Sequence, residues 1–200
     1  MPKLTVVGLA AICAAVALAT PSPALADPKG DIAMADFAKC IVGGRPNAAR
    51  ALMKTEPASP AEYKVLDPMM VFGGCLGRGQ LRMLRPLIRG AIAKALYARD
   101  FAAPPPATMA RPDAPRGAGE ADLLAADVAR CLAERMPVEA DRLVRARFAT
   151  PDETAAFAPL LAAMPACAPT SGGVRTSKGL MRARLAEAIY DLRSGTAAKQ

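Results

Sequence analysis

The sequence DFAKCI at Asp36–Ile41 recurs as DVARCL at Asp127–Leu132. In both stretches the apolar residues and the cysteine return every three or four positions, which is the spacing of side chains on one face of an α-helix. Matched alanines carry little weight in a chain so rich in alanine, but a matched cysteine inside a matched helical pattern is hard to obtain by chance. The recurrence predicts two helices of one kind, each with a cysteine on its buried face.

The two halves of the chain also correspond beyond these stretches. The further matches are Pro46 with Pro137, Leu52 with Leu143, SPAE at 59–62 with TPDE at 150–153, Pro68 with Pro159, Cys75 with Cys167, and Arg82, Leu87, Arg89 and Tyr97 with Arg175, Leu180, Arg182 and Tyr190. We therefore expect an internal duplication, with repeat units at 27–101 and 121–200 and a Pro/Gly/Ala-rich linker at 102–120. Small helical units retain apolar surface to bury, so the halves are expected to pack together rather than form separate lobes.

Each unit is predicted to contain four helices and no sheet. Aromatic residues make up 4% of the chain and tryptophan is absent, so an alanine-rich core of close-packed helices is favoured. The first helix is expected at about 32–42, with Asp31 as its N-cap, and its twin at about 122–136. The second helix opens at Pro46 or Pro137, since proline suits the first helical turn.

The third and fourth helices carry the clearer local signals. SPAE at 59–62 and TPDE at 150–153 are capping boxes, in which the hydroxyl and the carboxylate bind free backbone N–H groups. Pro68 and Pro159 are expected to kink or end the third helix. The fourth helix has an apolar stripe at three- and four-residue spacing and is expected to stop at Gly195 in the second unit. The predicted fold is all-α, with two tandem pseudo-symmetric four-helix units, each closed by one disulfide.

The first 26 residues have the pattern of a secretory signal peptide. Lys3 supplies the positive charge, an apolar run covers 4–20, and the sequence ALA at 24–26 matches the small-x-small cleavage rule. A transmembrane anchor is the alternative, but the run is shorter than the ~20 residues that cross a bilayer. A lipidated Cys13 is rejected because Ile12 is not the small residue that usually precedes one. We expect a periplasmic or secreted protein with no transmembrane anchor after cleavage.

Four cysteines remain after residue 26, and an even number in an exported protein indicates disulfides. Counting alone allows three pairings. The repeat selects one bridge in each unit, Cys40–Cys75 and Cys131–Cys167. Each bridge closes a loop of about 35 residues, which corresponds to roughly 3–4 kcal/mol of stabilisation in the chain-entropy model. A unit of roughly 70 residues buries little core, so such a bridge has a clear physical role.

Composition and charge exclude several classes of function. Histidine is absent, which excludes Ser-His-Asp and Cys-His catalysis and histidine-based metal sites. The Gly-rich stretch at 73–79 lacks the Gly-Lys-Ser/Thr ending of a phosphate-binding loop and has no predicted strand before it. No metal and no cofactor are expected. The formal charge of +8 falls to +7 when Lys3 leaves with the signal peptide, which gives a moderate attraction to anionic partners.

One cluster of basic residues is a candidate anion-binding site. It comprises Arg82, Arg85 and Arg89 in the first unit and the matched Arg175, Lys178 and Arg182 in the second. Cations at a helix N-terminus oppose its dipole by about 0.3–1 kcal/mol each, so their presence in both units suggests an anion that offsets this cost. The alternatives are a solvated basic face, or ion pairs with acids of the other half. The lack of interleaved aromatic residues argues against specific nucleic-acid binding.

Two matched pairs of acids leave a second function open. They are Asp36 with Asp127 and Glu62 with Glu153. A hydrolase acting on envelope polysaccharide would need two facing carboxyl groups about 5–10 Å apart. Capping boxes already explain the glutamates, and early helix turns suit the aspartates. A carboxylate-dependent hydrolase is therefore the alternative rather than the leading hypothesis.

The Phe-Ala-x-Cys and Gly-Gly-Cys sequences around Cys40 and Cys75, with the Ala-Leu-Tyr ending at Tyr97, resemble those of uncharacterised exported bacterial proteins that carry one or two helical two-cysteine units. The resemblance covers most of the chain outside the signal peptide and the linker. It implies the architecture and brings no known activity, cofactor or catalytic residue. We expect an exported, non-enzymatic helical binding or structural module that engages a protein partner or an anionic envelope component.

Overall fold

The computed structural model describes residues 28–71, 74–75, 84–109, 121–168 and 176–197, and in these ranges the chain forms eight α-helices and no strand. The helices are α1 (Pro28–Gly44), α2 (Pro46–Met53), α3 (Pro60–Met70), α4 (Arg85–Asp100), α5 (Ala121–Arg135), α6 (Pro137–Arg145), α7 (Pro151–Ala163) and α8 (Lys178–Ala197), with a short 3-10 turn at Met164–Ala166. The prediction of an all-α fold is confirmed. None of these helices has the length and apolar character needed to cross a membrane. The predicted signal peptide and residues 110–120 of the predicted linker lie outside the described residues.

Both predicted capping boxes are present at the starts of α3 and α7. The Ser59 Oγ accepts the Glu62 N–H at 3.1 Å, and the Thr150 Oγ1 accepts the Glu153 N–H at 3.3 Å. Each glutamate carboxylate reaches back to the N–H of the alanine before the N-cap, Ala58 or Ala149. These two alanines have φ angles of 61° and 57°, in the left-handed region that non-glycine residues rarely adopt. The carboxylate contact stabilises that conformation in the same way at both places.

Several predicted helix details are wrong. Asp31 lies inside α1, which begins three residues earlier at Pro28, a residue type favoured in the first turn. Helix α8 runs past Gly195 to Ala197, since one glycine lowers helix stability by only about 1 kcal/mol. Pro68 lies within α3 and Pro159 within α7, so neither proline ends its helix, which is one of the two effects predicted for them. Cys40 is exposed rather than buried on the inner face of α1.

The two disulfides join the residues that the repeat selected. Cys40 is bonded to Cys75 and Cys131 to Cys167, with Cα–Cα distances of 5.5 Å and 5.7 Å. The first bond ties α1 to the segment that follows α3. The second ties α5 to the turn that follows α7. The predicted pairing is confirmed.

Helices α4 and α8 pack against each other at the centre of the fold. Helices α1 and α2 pack on α4, while α5 and α6 pack on α8. The two central helices approach most closely where Gly90 meets Ala183, because a Cβ added to Gly90 would lie 2.3 Å from the Ala183 Cβ. One hydrophobic cluster joins residues of both halves, and a second is confined to the latter half. The halves therefore share a core, as expected from their unsatisfied apolar surface.

Candidate functional site

Two residues of the predicted anion-binding cluster, Arg89 and Arg182, are buried ion-pair partners. Arg89 is 3% exposed and binds Glu62 at 3.3 Å and Glu187 at 2.8 Å. Arg182 is 6% exposed and binds Glu153 and Asp31, each at 2.9 Å. Each guanidinium group thus joins the capping glutamate of its own half to an acid of the other half. This is the second alternative that the sequence left open, and it weighs against an anion from solution at these positions.

The other described members of the cluster also have partners within the chain. Arg85 binds Asp67 at 3.1 Å and covers the ring of Tyr63 at 4.2 Å. Lys178 lies 3.8 Å from the Glu153 carboxylate. The remaining two members, Arg82 and Arg175, lie outside the described residues. The contacts of the four described residues do not favour the predicted anion site.

The matched acids considered for hydrolysis have structural contacts. Glu62 and Glu153 are 3% and 2% exposed, and each binds an arginine and the start of a helix. Asp36 lies on the surface, 3.8 Å from the ammonium group of Lys39. These contacts account for three of the four acids without a catalytic role. The described residues contain no group of three acids or cysteines arranged to hold a metal ion.

Lys94 lies at the junction of α4 with the second half. Its ammonium group donates to the carbonyl groups of Val144 and Ala146 at the end of α6, and it lies 4.7 Å from the centre of the Phe148 ring. Burial lowers the pKa of Lys94 to about 8. The void beside it has a volume of about 10 Å³, which is room for about one water molecule. This junction is a structural contact rather than a ligand site.

A larger cleft opens at the C-terminal ends of α2 and α4, against the last turns of α8. Its volume is about 460 Å³ and its lining is formed by Arg50, Met53, Lys54, Asp100, Phe101, Tyr190, Asp191 and Ser194. That volume falls in the range of small-molecule and peptide sites. Two acids, two bases and two aromatic rings lie around one opening. We refer to it as the open cleft.

A cluster of three polar side chains forms one wall of the open cleft. Arg50 makes a two-pronged contact with the Asp100 carboxylate, at 2.7 and 3.0 Å, and the Tyr190 hydroxyl donates to the same carboxylate at 3.1 Å. The hydrogen bond from Arg50 lowers the pKa of Asp100, while burial raises that of Tyr190. All three groups remain in their ordinary charge states at neutral pH. We call this group the Tyr190 cluster.

A second cluster combines a tyrosine with an aspartate and an arginine at positions that match the first in sequence, with the two charges exchanged. The Tyr97 hydroxyl donates to Asp141 at 2.6 Å and accepts from Arg193 at 3.1 Å. Burial, followed by the bond to Asp141, raises the pKa of Tyr97 to about 12. We call this group the Tyr97 cluster. In the sequence register set by Leu52 with Leu143 and Tyr97 with Tyr190, its aspartate falls on Arg50 and its arginine on Asp100.

The Tyr97 cluster is covered by the chain that leaves α4. Arg145 donates to the Phe101 carbonyl at 2.7 Å, and Arg193 donates to the Ala103 carbonyl at 2.8 Å. Helix α4 ends at Asp100, so the chain turns across the Tyr97 cluster at once. Arg193 matches Asp100 in sequence, but helix α8 continues four residues beyond it, to Ala197. The open cleft lies against these last turns.

Sequence reasoning missed both clusters because it matched residues of the same kind and charge. Arg50 and Asp141 differ in sign, as do Asp100 and Arg193. The useful signal is that both charged positions change sign together between the halves, while the matched tyrosine is kept. Such an exchange indicates that the two positions lie close together. Arg50 and Asp100 form an ion pair, whereas Asp141 and Arg193 meet through the Tyr97 hydroxyl and Asp141 pairs with Arg145.

Comparisons of the chain with protein-family models, with curated proteins and with solved structures give no match. The assignment of the site therefore rests on its geometry. The charges of the Tyr190 cluster neutralise one another, and its tyrosine pKa is raised rather than lowered. This arrangement suits hydrogen-bonded recognition of a ligand better than proton transfer or nucleophilic attack.

Proposed function

We propose that the chain is an exported, non-enzymatic binding module built from two copies of one four-helix unit, and that its ligand occupies the open cleft. The observation that carries this proposal is the cleft of about 460 Å³, which combines the rings of Phe101 and Tyr190 with paired charges at its wall. Apolar surface with a few fixed polar groups is the usual composition of a ligand site.

Repeated local geometry supports the duplication. The capping boxes at Ser59 and Thr150, the left-handed residues Ala58 and Ala149, and the two disulfides fall at matched positions of the sequence. The closest approach of the central helices joins Gly90 to Ala183, which are themselves matched positions. A contact between equivalent residues is what an approximate twofold axis between two copies would produce.

Export is supported by the cysteine chemistry. Both described disulfides are of the structural kind found in oxidising compartments such as the periplasm and the cell exterior. Together with the predicted signal peptide at 1–26, they favour a periplasmic or secreted protein. The mature chain would begin at Asp27, which sequencing the N-terminus of the protein recovered from the envelope fraction can test.

The charge balance of the open cleft favours a protein partner over an anionic envelope component. Arg50 and Lys54 contribute two positive charges, and Asp100 and Asp191 contribute two negative charges. Asp191 is also 3.4 Å from Arg130, so its charge is partly balanced outside the cleft. Both carboxylates would repel a polyanion at close range, whereas an uncharged polar segment would meet no such repulsion.

Site-specific photo-cross-linking tests the binding proposal. A photoreactive lysine analogue that keeps its ammonium group, placed at position 54 in the cleft, is expected to give one defined adduct when the cells are irradiated. The control carries the same residue in place of Lys39, which is exposed on α1 away from the cleft. The absence of an adduct at position 54, or equal adducts at both positions, would refute the assignment of the cleft.

A further inference from the structure

We propose that the open cleft binds an extended peptide segment of a partner protein and recognises its main-chain carbonyl groups. This inference rests on the proposed binding function and the proposed duplication, and it names the ligand class of the same site. The reason lies in the Tyr97 cluster, where side chains at the positions that match the open cleft in sequence already hold a non-helical segment of the chain itself.

The segment on the Tyr97 cluster is bound through its backbone. The Phe101 and Ala103 carbonyl groups accept from Arg145 and Arg193, and residues 101–109 contain no helix. Within this segment Pro105 and Met109 are buried. The unit therefore provides a surface on which an irregular proline- and alanine-rich segment, FAAPPPATM at 101–109, lies and is held by cationic side chains.

Of the two matched side chains in the open cleft, one can repeat its contact with a carbonyl group, and the other is replaced by an acceptor. Lys54 falls on Arg145 and is exposed, so its ammonium group is available to a carbonyl oxygen of a ligand. Arg50, with 40% of its side chain exposed, has N–H groups beyond the two that bind Asp100. Asp100 stands where the second half has Arg193, so at this point the cleft presents an acceptor. An extended main chain supplies carbonyl groups and N–H groups in alternation and matches both.

The apolar part of the cleft indicates which side chains such a peptide carries. The rings of Phe101 and Tyr190 stand edge to face, with centroids 5.8 Å apart, and Met53 lies beside them. Small apolar residues and proline pack on such rings, and a proline-rich strand loses little conformational freedom on binding. The expected ligand is thus an extended, uncharged segment rich in alanine and proline.

Titration of the full oxidised protein with the acetylated and amidated peptide FAAPPPATM tests this inference. We expect nuclear magnetic resonance shifts at Lys54, Tyr190 and Ser194, and a Kd of roughly 10 µM to 1 mM, as suits a short peptide that buries little area. Lys54→Met should weaken binding about fivefold or more, because a donor to the ligand is lost. Lys39→Met removes an exposed lysine elsewhere and should leave the affinity unchanged.

Three results would overturn the peptide assignment. The first is the absence of shifts at the cleft at about 5 mM peptide, well above the weakest Kd expected. The second is equal affinity in Lys54→Met and the unsubstituted protein. The third is binding that occurs only when residues 198–200 are removed, which would assign the cleft to the end of the chain itself.

Protease treatment of the adduct at position 54 separates this inference from the proposed function. An adduct that protease shortens to a peptide supports both. An adduct that protease leaves intact, with no binding of FAAPPPATM, keeps the binding function and overturns the peptide ligand. No adduct at all overturns the cleft as a binding site, whatever the peptide does.

Discussion

The Tyr190 and Tyr97 clusters each combine a tyrosine, an arginine and an aspartate at positions that match in the sequence. In one, Arg50 lies on α2 and Asp100 on α4; in the other, Asp141 lies on α6 and Arg193 on α8. One cluster borders an open cleft, and the other is covered by the chain leaving α4. The difference follows from where the two helices end, since α4 stops at Asp100 and its chain covers one cluster, whereas α8 continues to Ala197 beside the other.

Helices α4 and α8 carry residues of both clusters, so the comparison depends on their packing. Of the substitutions considered, loss of Arg89 should destabilise that packing most. Arg89→Met leaves the buried Glu62 without its cationic partner, leaves Glu187 with Arg184 alone, and removes donors to the Leu52 and Thr55 carbonyls. Breaking such a buried pair costs about 3–5 kcal/mol in the free energy of unfolding. Urea denaturation of the oxidised protein measures it.

The matched substitution in the other half sharpens the result. Arg182→Met leaves Glu153 near Lys178, and it leaves Asp31 19% exposed to water. We therefore expect a smaller loss than for Arg89→Met, of about 2–3 kcal/mol. If the free energy of unfolding fell equally in the two variants, or further in Arg182→Met, the remaining contacts of Glu153 and Asp31 would not compensate for the lost arginine as described.

The crossing of the two central helices can be broken at Gly90. Gly90→Ala places a Cβ 2.4 Å from the backbone Cα of Ala183, so the helices must move apart. The overpacking should lower the free energy of unfolding by about 2–3 kcal/mol, despite the better helix propensity of alanine. Gly179→Ala is the control, since its nearest neighbour would be 3.8 Å away and its stability should change little. A Gly90→Ala variant as stable as this control would refute the close approach.

Lys94 makes one contact between the halves sensitive to pH. Its pKa of about 8 lies below the ordinary 10.5, so between these values the unfolded chain binds more protons and stability rises with pH. Relative to Lys94→Met, the protein should gain about 1–2 kcal/mol from pH 8 to pH 10. Tyrosine ionisation is common to both proteins and cancels in the difference. A constant difference across this range would show that Lys94 is not desolvated.

The smallest effects are expected at the left-handed alanines, where the two halves agree. Ala58→Gly and Ala149→Gly relieve a positive φ and should each raise stability by about 0.5 kcal/mol. Ala155→Gly, on the exposed side of α7, should lower stability by about 0.5–1 kcal/mol. Thermal unfolding measures these changes. If stability rose in one of the two left-handed variants and fell in the other, the two positions would not be equivalent as described.

Features set by neighbouring residues were predictable from the sequence. The capping boxes at Ser59 and Thr150 and the proline-initiated helices follow from local hydrogen-bonding rules, and the disulfides follow from the repeat. The role of Arg89 and Arg182 could not be predicted. Their spacing places them near a helix start, but it does not reveal that α4 and α8 are surrounded by other helices. The same is true of Asp31, whose partner Arg182 is distant in sequence.

The open cleft could not be predicted because it depends on where two matched helices end. The proline-rich stretch at 104–106 indicates that α4 ends near residue 101, but no local signal places the end of α8 at Ala197, and Gly195 pointed to an earlier end. The charge reversal between Arg50 and Asp141 was present in the sequence, but it becomes a signal only when paired with the opposite change at Asp100 and Arg193.

Exchanging the two charges of the Tyr190 cluster tests most directly whether the halves are copies of one unit. Arg50→Asp and Asp100→Arg should each lower the free energy of unfolding by about 1 kcal/mol, since solvent screens a pair in which Arg50 is 40% exposed. The double variant has the polarity of the Tyr97 cluster, with an arginine that can donate to Tyr190, and should regain nearly all of that loss. A double variant that loses the sum of the two single effects would contradict the equivalence of the clusters.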